Sequence, residues 1–339
     1  MTHIRNPGFS ETPPEEGKAD LSIIIVYYES YDVIHRCIES IRQYPPNSRL
    51  EIIVVDNASP DERACNLTNL DNRLSVHRTP RNLGFGAGCN FGLALASGDF
   101  ILFLNPDTIL QEGTIDQMLG FINDRPRCGL ATCQIMDDQE RVQKYSLSKA
   151  HSLRYSFSDL FFLYMVPGLR TLFPGTAYPI ERFAAEFSPD VISGAFMLFR
   201  ESVIRELNGF DPRFFLYAED VDLSVRAAAV AQICYNPHAR CFHLGHTTLG
   251  PGFSPIKYNF LFTSRILFFK KHYGRISGAT YQGLLLLCGL VQLVPGILIA
   301  PFWRRYLFDR SVFLILFMAR RILRRESVPS GAGKMGDVT

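Results

Sequence analysis

The chain has no CxxC pair; its eight cysteines (37, 65, 89, 128, 133, 234, 241 and 288) are scattered over 339 residues. That spacing reads as reduced, buried thiols in a cytosolic compartment. An apolar stretch is missing from the N-terminus, which carries Pro13, Pro14, Glu15 and Glu16 instead and argues against a signal peptide. An excess of either charge is missing: 35 Lys and Arg stand against 33 Asp and Glu, and the net +2 does not suggest a nucleic-acid partner. No glycine occurs in YYESYD, the turn after the first apolar run. A dinucleotide-dependent oxidoreductase would need its GxGxxG there. Nor is there a Gly-rich, basic loop near the N-terminus to grip a triphosphate, which counts against a nucleotidyltransferase.

What is present alternates. LSIIIVYY, EIIVVD, SVHR, FILFLN and GLATCQI read as strands. Between them Ile34, Cys37, Ile38 and Ile41 recur at helical spacing, GAGCNFGLALAS reads as a helix, and 114–123 as another. Such alternation predicts an α/β fold, a mostly parallel sheet with helices on both faces. Residues 145–190 break the pattern, being rich in Phe, Tyr, Leu and Pro with few charges. They read either as a loop-and-helix insertion with an apolar surface for an acceptor, or as a core helix with connectors. VISGAFMLF returns to strand character, AEDVDLSVRAAAVA is helical, and QICYNP leads toward His243.

The last third differs. Residues 279–302 carry no charge over 24 positions. A helix that long would reach about 36 Å, enough to cross a bilayer. Pro295-Gly296 is expected to kink it. Arg265, Lys270, Lys271 and Arg275 precede the run, and Arg304, Arg305, Arg310, Arg320, Arg321, Arg324 and Arg325 follow it. Positive charge on both flanks disfavours a simple crossing. A monotopic or re-entrant helical pair on an anionic membrane surface fits better, with 311–319 lying among headgroups. The alternative use of this region is a buried homodimer interface.

Carboxylates close several apolar runs. EIIVVD ends in Asp56-Asn57, FILFLNPD in Asn105-Pro106-Asp107, and Glu219-Asp220-Val221-Asp222 opens a helix. Stability alone does not put carboxylates at the ends of buried strands. In an open α/β sheet, ligands bind beyond the carboxyl ends of the strands. A metal, a sugar nucleotide, or both is the implied ligand.

Taken together, SIIIVYYES, IIVVDNAS, RNLGFGAGCNFGL, FLNPDT, ISGAFMLFR, GFDPRFFLYAEDVDLSVR and the YNPHARCFH run resemble an inverting family 2 glycosyltransferase with the GT-A fold. They are most similar to the bacterial rhamnosyltransferase-like branch that builds O-antigen and other surface polysaccharides. The resemblance covers roughly residues 21–275. It implies a GT-A domain over 20–275; composition and charge add the expectation of a membrane-associated helical region over 276–325 and disordered tails at 1–19 and 326–339.

The resemblance also implies roles. A divalent cation, Mg²⁺ or Mn²⁺, would bridge the donor diphosphate, held by few protein ligands because Mg²⁺ keeps several waters. Asn105-Pro106-Asp107 stands where the family has its DxD motif, with Asn105 in place of the first carboxylate. His243 would complete the metal shell, with His238 and His246 as competitors. Asp56 matches the aspartate that accepts from the N3–H of a pyrimidine base, beside Asn57. Tyr27 and Glu29 fall where the first strand's end lines the base and ribose pocket. Arg81, Asn82 and Gly84 match the segment approaching the donor, and Gly86 and Gly88 would let the backbone pass close to it.

Inversion needs a general base for the acceptor hydroxyl. Asp220 is the first candidate, with Glu219 orienting acceptor or base. Ser193-Gly194-Ala195 would floor the acceptor sugar. Asp222 and Arg226 read as an ordinary i,i+4 ion pair. The implied donor is dTDP-L-rhamnose, then a UDP-hexose. The implied acceptor is a polyprenyl-diphosphate-linked saccharide at the cytoplasmic face of the inner membrane. A degenerate, non-catalytic scaffold of a polysaccharide-assembly complex is the other reading.

Overall fold

The computed structural model describes residues 19–60, 63–245, 254–298 and 301–324. The polar tails and His246 lie outside these, as do the side chains of Arg304, Arg305, Arg324 and Arg325.

The apolar runs form the strands expected of them. β1 (Leu21–Tyr27) is buried along its whole length, because helices cover both its faces. It pairs in parallel with β2 (Leu50–Asp56) and with β4 (Phe100–Leu104), and β2 in turn with β3 (Leu74–Arg78). β5 (Thr108–Leu110), β6 (Cys128–Met136), β9 (Phe196–Arg200) and β10 (Gln232–His243) extend the sheet to eight strands in the order β3-β2-β1-β4-β9-β6-β10-β5. β9 runs antiparallel to both β4 and β6, and β5 antiparallel to β10. β7 (Leu147–Ser148) and β8 (Val191–Ile192) form a separate small pair.

Period-2 alternation along β1 divides the core into two layers. Leu21, Ile23, Ile25 and Tyr27 pack with α1 (Tyr31–Gln43) and α3 (Thr114–Asn123). Ile24 and Val26 face the other way, toward α2 (Phe85–Leu95), α5 (Glu201–Glu206) and α6 (Glu219–Ala227). α1 buries Ile34, Cys37, Ile38 and Ile41, the positions its helical spacing picks out. The glycines of α2 act in this packing. A Cβ on Gly88 would lie 2.9 Å from Val26, one on Gly92 2.5 Å from Ile24, and one on Gly86 3.0 Å from Phe210. The close approach expected of Gly86 and Gly88 is therefore to the sheet and Phe210, not to the cleft.

Residues 145–190 form a short helix, α4 (Leu153–Leu160), with single-turn segments and loops. Leu160 packs under the C-terminal helices, while Met165 and Leu172 remain 63% and 60% exposed. α7 (Pro255–Leu298) is interrupted at Gly274 (φ 85°), and its second half pairs with α8 (Pro301–Arg324). Gln292 bonds Arg310, and Gly289 meets Ser311 and Leu314, so the two run antiparallel as a hairpin. The helix passes Pro295-Gly296 and ends at Leu298, so the interruption expected there is found at Gly274 instead.

Pro255–Leu293 is long and apolar enough to cross a membrane. Only 33% of its most apolar window is buried, less than a soluble core helix would show. Some of the flanking cations are spent internally. Arg310 is 5% exposed, bonds Gln292 and lies over the Phe162 ring. Lys271 bonds Asp211 and Asp222.

Candidate active site

Asp56 closes β2, Asp107 lies just beyond β4, His243 closes β10, and Glu219 and Asp220 open α6. At the end of β2, Asp56 is 2% exposed. Its Oδ1 accepts from Ser59 N–H (2.8 Å) and its Oδ2 from Arg78 Nη1 (2.8 Å). A carboxylate has about four acceptor positions, so capacity for a further donor remains. Arg78 also donates to Ser59 O at 2.6 Å, closing a ring that fixes the Asp56 carboxylate. Sequence reading missed Arg78. The signal was its place directly opposite Asp56 in the β2–β3 register.

Asn57 is committed to the next loop. Its Oδ1 accepts from Leu83 N–H (2.9 Å), and its Nδ2 donates to Asn82 Oδ1 (3.0 Å) and Gly84 O (3.2 Å). Asn82 also accepts from Gly84 N–H. Asn57 and Asn82 thus hold the 79–84 loop in place, and Arg81 is left exposed on it. Gly84 (φ 85°) abuts Phe215, where a Cβ would come 2.2 Å from the carbonyl oxygen. Its need for glycine is this contact between two loops of the protein.

One placement near β1 differs from the expectation. The Tyr27 side chain is fully buried in the core, on the face away from α2. Tyr28, on the opposite face, is half-buried and bonds toward Asn82; burial first and then the Glu29 charge raise its phenol above the ordinary value. Tyr28 is the aromatic available at this position. Glu29 is exposed with φ 49°, and its N–H donates to Ser59 Oγ.

Beyond β4, Asp107 and His243 meet. Asp107 Oδ1 lies 3.1 Å from His243 Nε2, and Asn105 Nδ2 lies 3.3 Å from the same nitrogen. Gln143 grips the histidine twice, donating from Nε2 to His243 O (2.5 Å) and presenting Oε1 to Nδ1 (3.0 Å). With the amide nitrogen spent on the carbonyl, Oε1 must accept, so Nδ1 carries a proton and Nε2 is the ring nitrogen turned to Asp107 and Asn105. Metal-ligating histidines are commonly held in this way. No cluster of three or more His, Cys, Asp or Glu suited to a metal occurs among the described residues. Asp107 and His243 nonetheless fit a divalent ion that takes its remaining ligands from phosphate and water. Gln143 stands 100 residues from His243, and nothing in the sequence pairs them. His238 is exposed on β10.

The segment between β8 and β9 joins this pair to α6. Ala195 O accepts from Asn105 N–H (3.1 Å) and Thr108 Oγ1 (3.2 Å), while Gly194 N–H donates to Asp220 Oδ2 (3.2 Å). Val221 N–H donates to Asp220 Oδ1 at 2.8 Å. α6 is entered through Tyr217 (φ 66°) and Ala218 (φ 61°). Two successive non-glycine residues in the left-handed region cost of order 1–3 kcal/mol each. Burial raises the Asp220 carboxyl above the usual carboxylate range. Burial, then the Asp220 charge, raise Glu219 well above it. Glu219 is 6% exposed and its Oε2 has no hydrogen-bond partner. A buried oxygen without a donor belongs to the neutral acid more comfortably than to the carboxylate.

Asp222 departs from the simple pair expected. Arg226 Nε is 2.9 Å from its Oδ2, but Lys271 Nζ (2.6 Å) and His272 Nε2 (2.8 Å) also bind its Oδ1. Against the opposing effect of burial, hydrogen bonds from His272 and Lys271 and the charges of Arg226 and Lys271 hold its carboxyl below the ordinary value.

Comparisons with known proteins bear on the family and the fold. The model of Glycosyl transferase family 2 matches residues 22–207. Rhamnosyltransferase WbbL of Escherichia coli (strain K12) is 30% identical over 171 residues, which is 48% of this chain and 61% of that protein. The chain thus spans less than two thirds of that relative. N-acetylglucosaminyl-diphospho-decaprenol L-rhamnosyltransferase of Mycobacterium tuberculosis (strain ATCC 25618 / H37Rv) is 25% identical over 236 residues, 66% of this chain and 75% of the relative. Among solved structures, the mannosyltransferase PcManGT from Pyrobaculum calidifontis, in complex with GDP-Man and Mn2+, has a TM-score of 0.55 at 13% identity. It covers 94% of this chain and 92% of that one. At that identity the likeness establishes the fold, GT-A.

Proposed function

The chain belongs to glycosyl transferase family 2, and from that premise we propose an inverting transfer from a pyrimidine nucleotide-sugar to a polyprenyl-diphosphate-linked saccharide in surface polysaccharide synthesis. dTDP-L-rhamnose is the favoured donor and a UDP-hexose the next. Two relatives named as rhamnosyltransferases, one named for a diphospho-decaprenol substrate, support this choice. The observation that carries the reading is the Ser193–Ala195 segment, which bonds Asn105 and Thr108, flanking Asp107, on one side and Asp220 on the other.

In this reading the base docks at Asp56, whose carboxylate accepts from a pyrimidine N3–H while Arg78 and Ser59 keep it aimed. Tyr28, Glu29 and the 79–84 loop border the nucleoside. Asp107 and His243 would hold Mg²⁺ or Mn²⁺, which when bound offsets the charge of the departing diphosphate. The acceptor hydroxyl oxygen bonds to the anomeric carbon from the face opposite the nucleotide. Its proton passes to Asp220, and the anomeric C–O bond breaks with its electron pair leaving on the diphosphate. A raised Asp220 pKa brings the base closer to working pH, where general-base catalysis is most effective. Glu219, kept neutral beside it, can donate a hydrogen bond to the acceptor. Two neighbouring carboxyls with separated pKa values are a recurring way of dividing such roles.

The GT-A domain (20–275) would be docked by 276–325, monotopic or re-entrant, on the cytoplasmic face of the inner membrane. Leu287, Leu290, Val291 and Leu316, each about half exposed, give the hairpin an apolar outer surface. Transfer assays with dTDP-L-rhamnose, UDP-hexoses and GDP-mannose test the donor, with product configuration read by NMR. Inverted product from a pyrimidine donor is expected. Preference for GDP-mannose would overturn the donor assignment.

A further inference from the structure

The first half of α7 is packed against the entry to α6. Leu267 and Phe268 bury against Phe214, Ala218 and Val221. Ser264 Oγ donates to Leu216 O (2.8 Å), and Phe260 stacks on Phe215 at 5.1 Å between ring centroids. Two consecutive residues of α7 then reach fully buried Asp222: Lys271 Nζ at 2.6 Å and His272 Nε2 at 2.8 Å from Oδ1. Lys271 also lies 2.7 Å from Asp211 Oδ2, which Arg213 shares at 2.6 Å. Arg226 completes the group, bonding Asp222 Oδ2 (2.9 Å), Leu207 O (2.9 Å) and Gly209 O (2.8 Å). None of these charges takes part in the transfer as derived above.

Their placement gives them a use. Tyr217 and Ala218 sit in a conformation that persists only where the surroundings over-determine it. Asp222 lies one helical turn beyond them, its N–H bonded to Ala218 O at 2.9 Å. Between Ala218 and Asp222 lie Glu219 and Asp220. The turn is therefore held from both ends, by the Phe215 and Leu216 contacts before it and by the Asp222 cluster after it, and α7 supplies part of both.

We propose that Lys271 and His272 are positioning residues for glycosyl transfer: by clamping Asp222 they hold the strained Tyr217–Ala218 turn and fix where Asp220 presents its carboxylate. The helix leading into the apolar hairpin is then part of the active-site scaffold as well as an anchor. This rests on the reading of Asp220 as the base.

The test uses the full-length protein with donor and lipid-linked acceptor. Lys271→Met should lower kcat by about 10–100-fold, the scale of a displacement of about 1 Å at a reacting group. Donor Kd, read by calorimetry, should stay within about twofold, and Lys271→Arg should recover most of the rate. Because the lysine acts through Asp222, Lys271→Met combined with Asp222→Asn should be no slower than the slower single variant. Should Lys271→Met fail to fold, His272→Gln, which leaves Lys271 and Arg226 on Asp222, decides the matter by the same split of kcat from donor Kd. Unchanged kcat in a folded variant, or independent multiplying losses in the double variant, would overturn the proposal. Asp220→Asn assayed alongside separates the two readings: full turnover there removes the base assignment, whatever Lys271 does.

Discussion

His243 Nε2 and Asp107 Oδ1 face each other at 3.1 Å, and Gln143 holds the imidazole from its other nitrogen. Two acceptors this close call for a cation between them or a proton on the ring. A short pair supplied from β10 and the end of β4, with the tautomer set by an amide, is suited to the first.

Gln143 is therefore the residue whose loss should be felt at the metal without removing a ligand. Gln143→Ala should weaken Mn²⁺ affinity by about 10–100-fold, the usual effect of removing the group that orients a ligating histidine. Asp107→Ala should abolish the metal's contribution to donor binding. Calorimetric titration of Mn²⁺ with and without nucleoside diphosphate measures both. Unchanged Mn²⁺ affinity in Gln143→Ala, or full activity in excess EDTA, would count against the site.

Asp220→Asn keeps the shape of the side chain and removes the base; its one amide oxygen can accept from either Gly194 N–H or Val221 N–H, not both. Turnover should fall by about 10²–10⁴-fold. Donor affinity should hold, since the interaction acts on the acceptor proton in the transition state. Rate and donor Kd measured on one preparation distinguish this from a general loss of structure.

Most of the sheet was legible because each strand carries its own signal. Fully apolar β1 and β2 and the helical spacing of Ile34, Cys37, Ile38 and Ile41 need no distant partner to be recognised. What stayed hidden depends on contacts far apart in the chain. Gln143 acts on His243, and Lys271 on Asp222, with no local periodicity to mark either. Tyr27 and Tyr28 show the limit at single-residue scale. Tyr27 closes β1 inside the core and Tyr28 opens the loop after it, and only the tertiary packing decides which of the two rings is buried. The break at Gly274 rather than Pro295-Gly296 is similar: a glycine is free to turn, but tertiary packing selects where.

Glu219 should leave a mark on stability as well as on rate. Its pKa in the folded protein is raised, by burial and then by Asp220. A carboxyl that binds its proton more tightly when folded contributes stability fully below its unfolded pKa, about 4.3. That contribution is lost as pH rises through the folded value. Glu219→Gln removes the titration. Its melting temperature should fall less than that of the wild type between pH 4.3 and neutrality, on the order of that same window. Thermal melts across a pH series decide it, and parallel curves would mean that Glu219 is not held neutral.

At the base pocket, Asp56→Ala should weaken binding of dTDP and UDP by about 1.5–3 kcal/mol, the range for a hydrogen bond to a charged group. Arg78→Ala should have a smaller effect in the same direction, because Ser59 still orients the carboxylate. Titrations of UDP, dTDP and GDP report it. Equal wild-type affinity for GDP would remove Asp56 from pyrimidine selection.

The membrane prediction has to exclude the cations that the fold already uses. Arg310 is buried against Gln292 and Phe162, and Lys271 is spent on Asp222, so neither is available to lipid. Arg320 is exposed at the end of α8, and Arg324 and Arg325 follow it in sequence. Each arginine near an anionic surface is worth about 1 kcal/mol. Replacing these three with Gln should lower binding to anionic liposomes and leave the remainder less sensitive to salt. The apolar contribution should respond separately: Leu287→Ser with Leu290→Ser alters half-exposed side chains on the hairpin surface and should weaken binding to neutral liposomes too. Because α7 and α8 run antiparallel, a docked hairpin returns the chain to the side from which it came. Cysteine placed at Ser330 should then resist an impermeant reagent applied to intact cells. Labelling from outside would mean that the segment crosses the bilayer, and the monotopic or re-entrant arrangement would have to be abandoned.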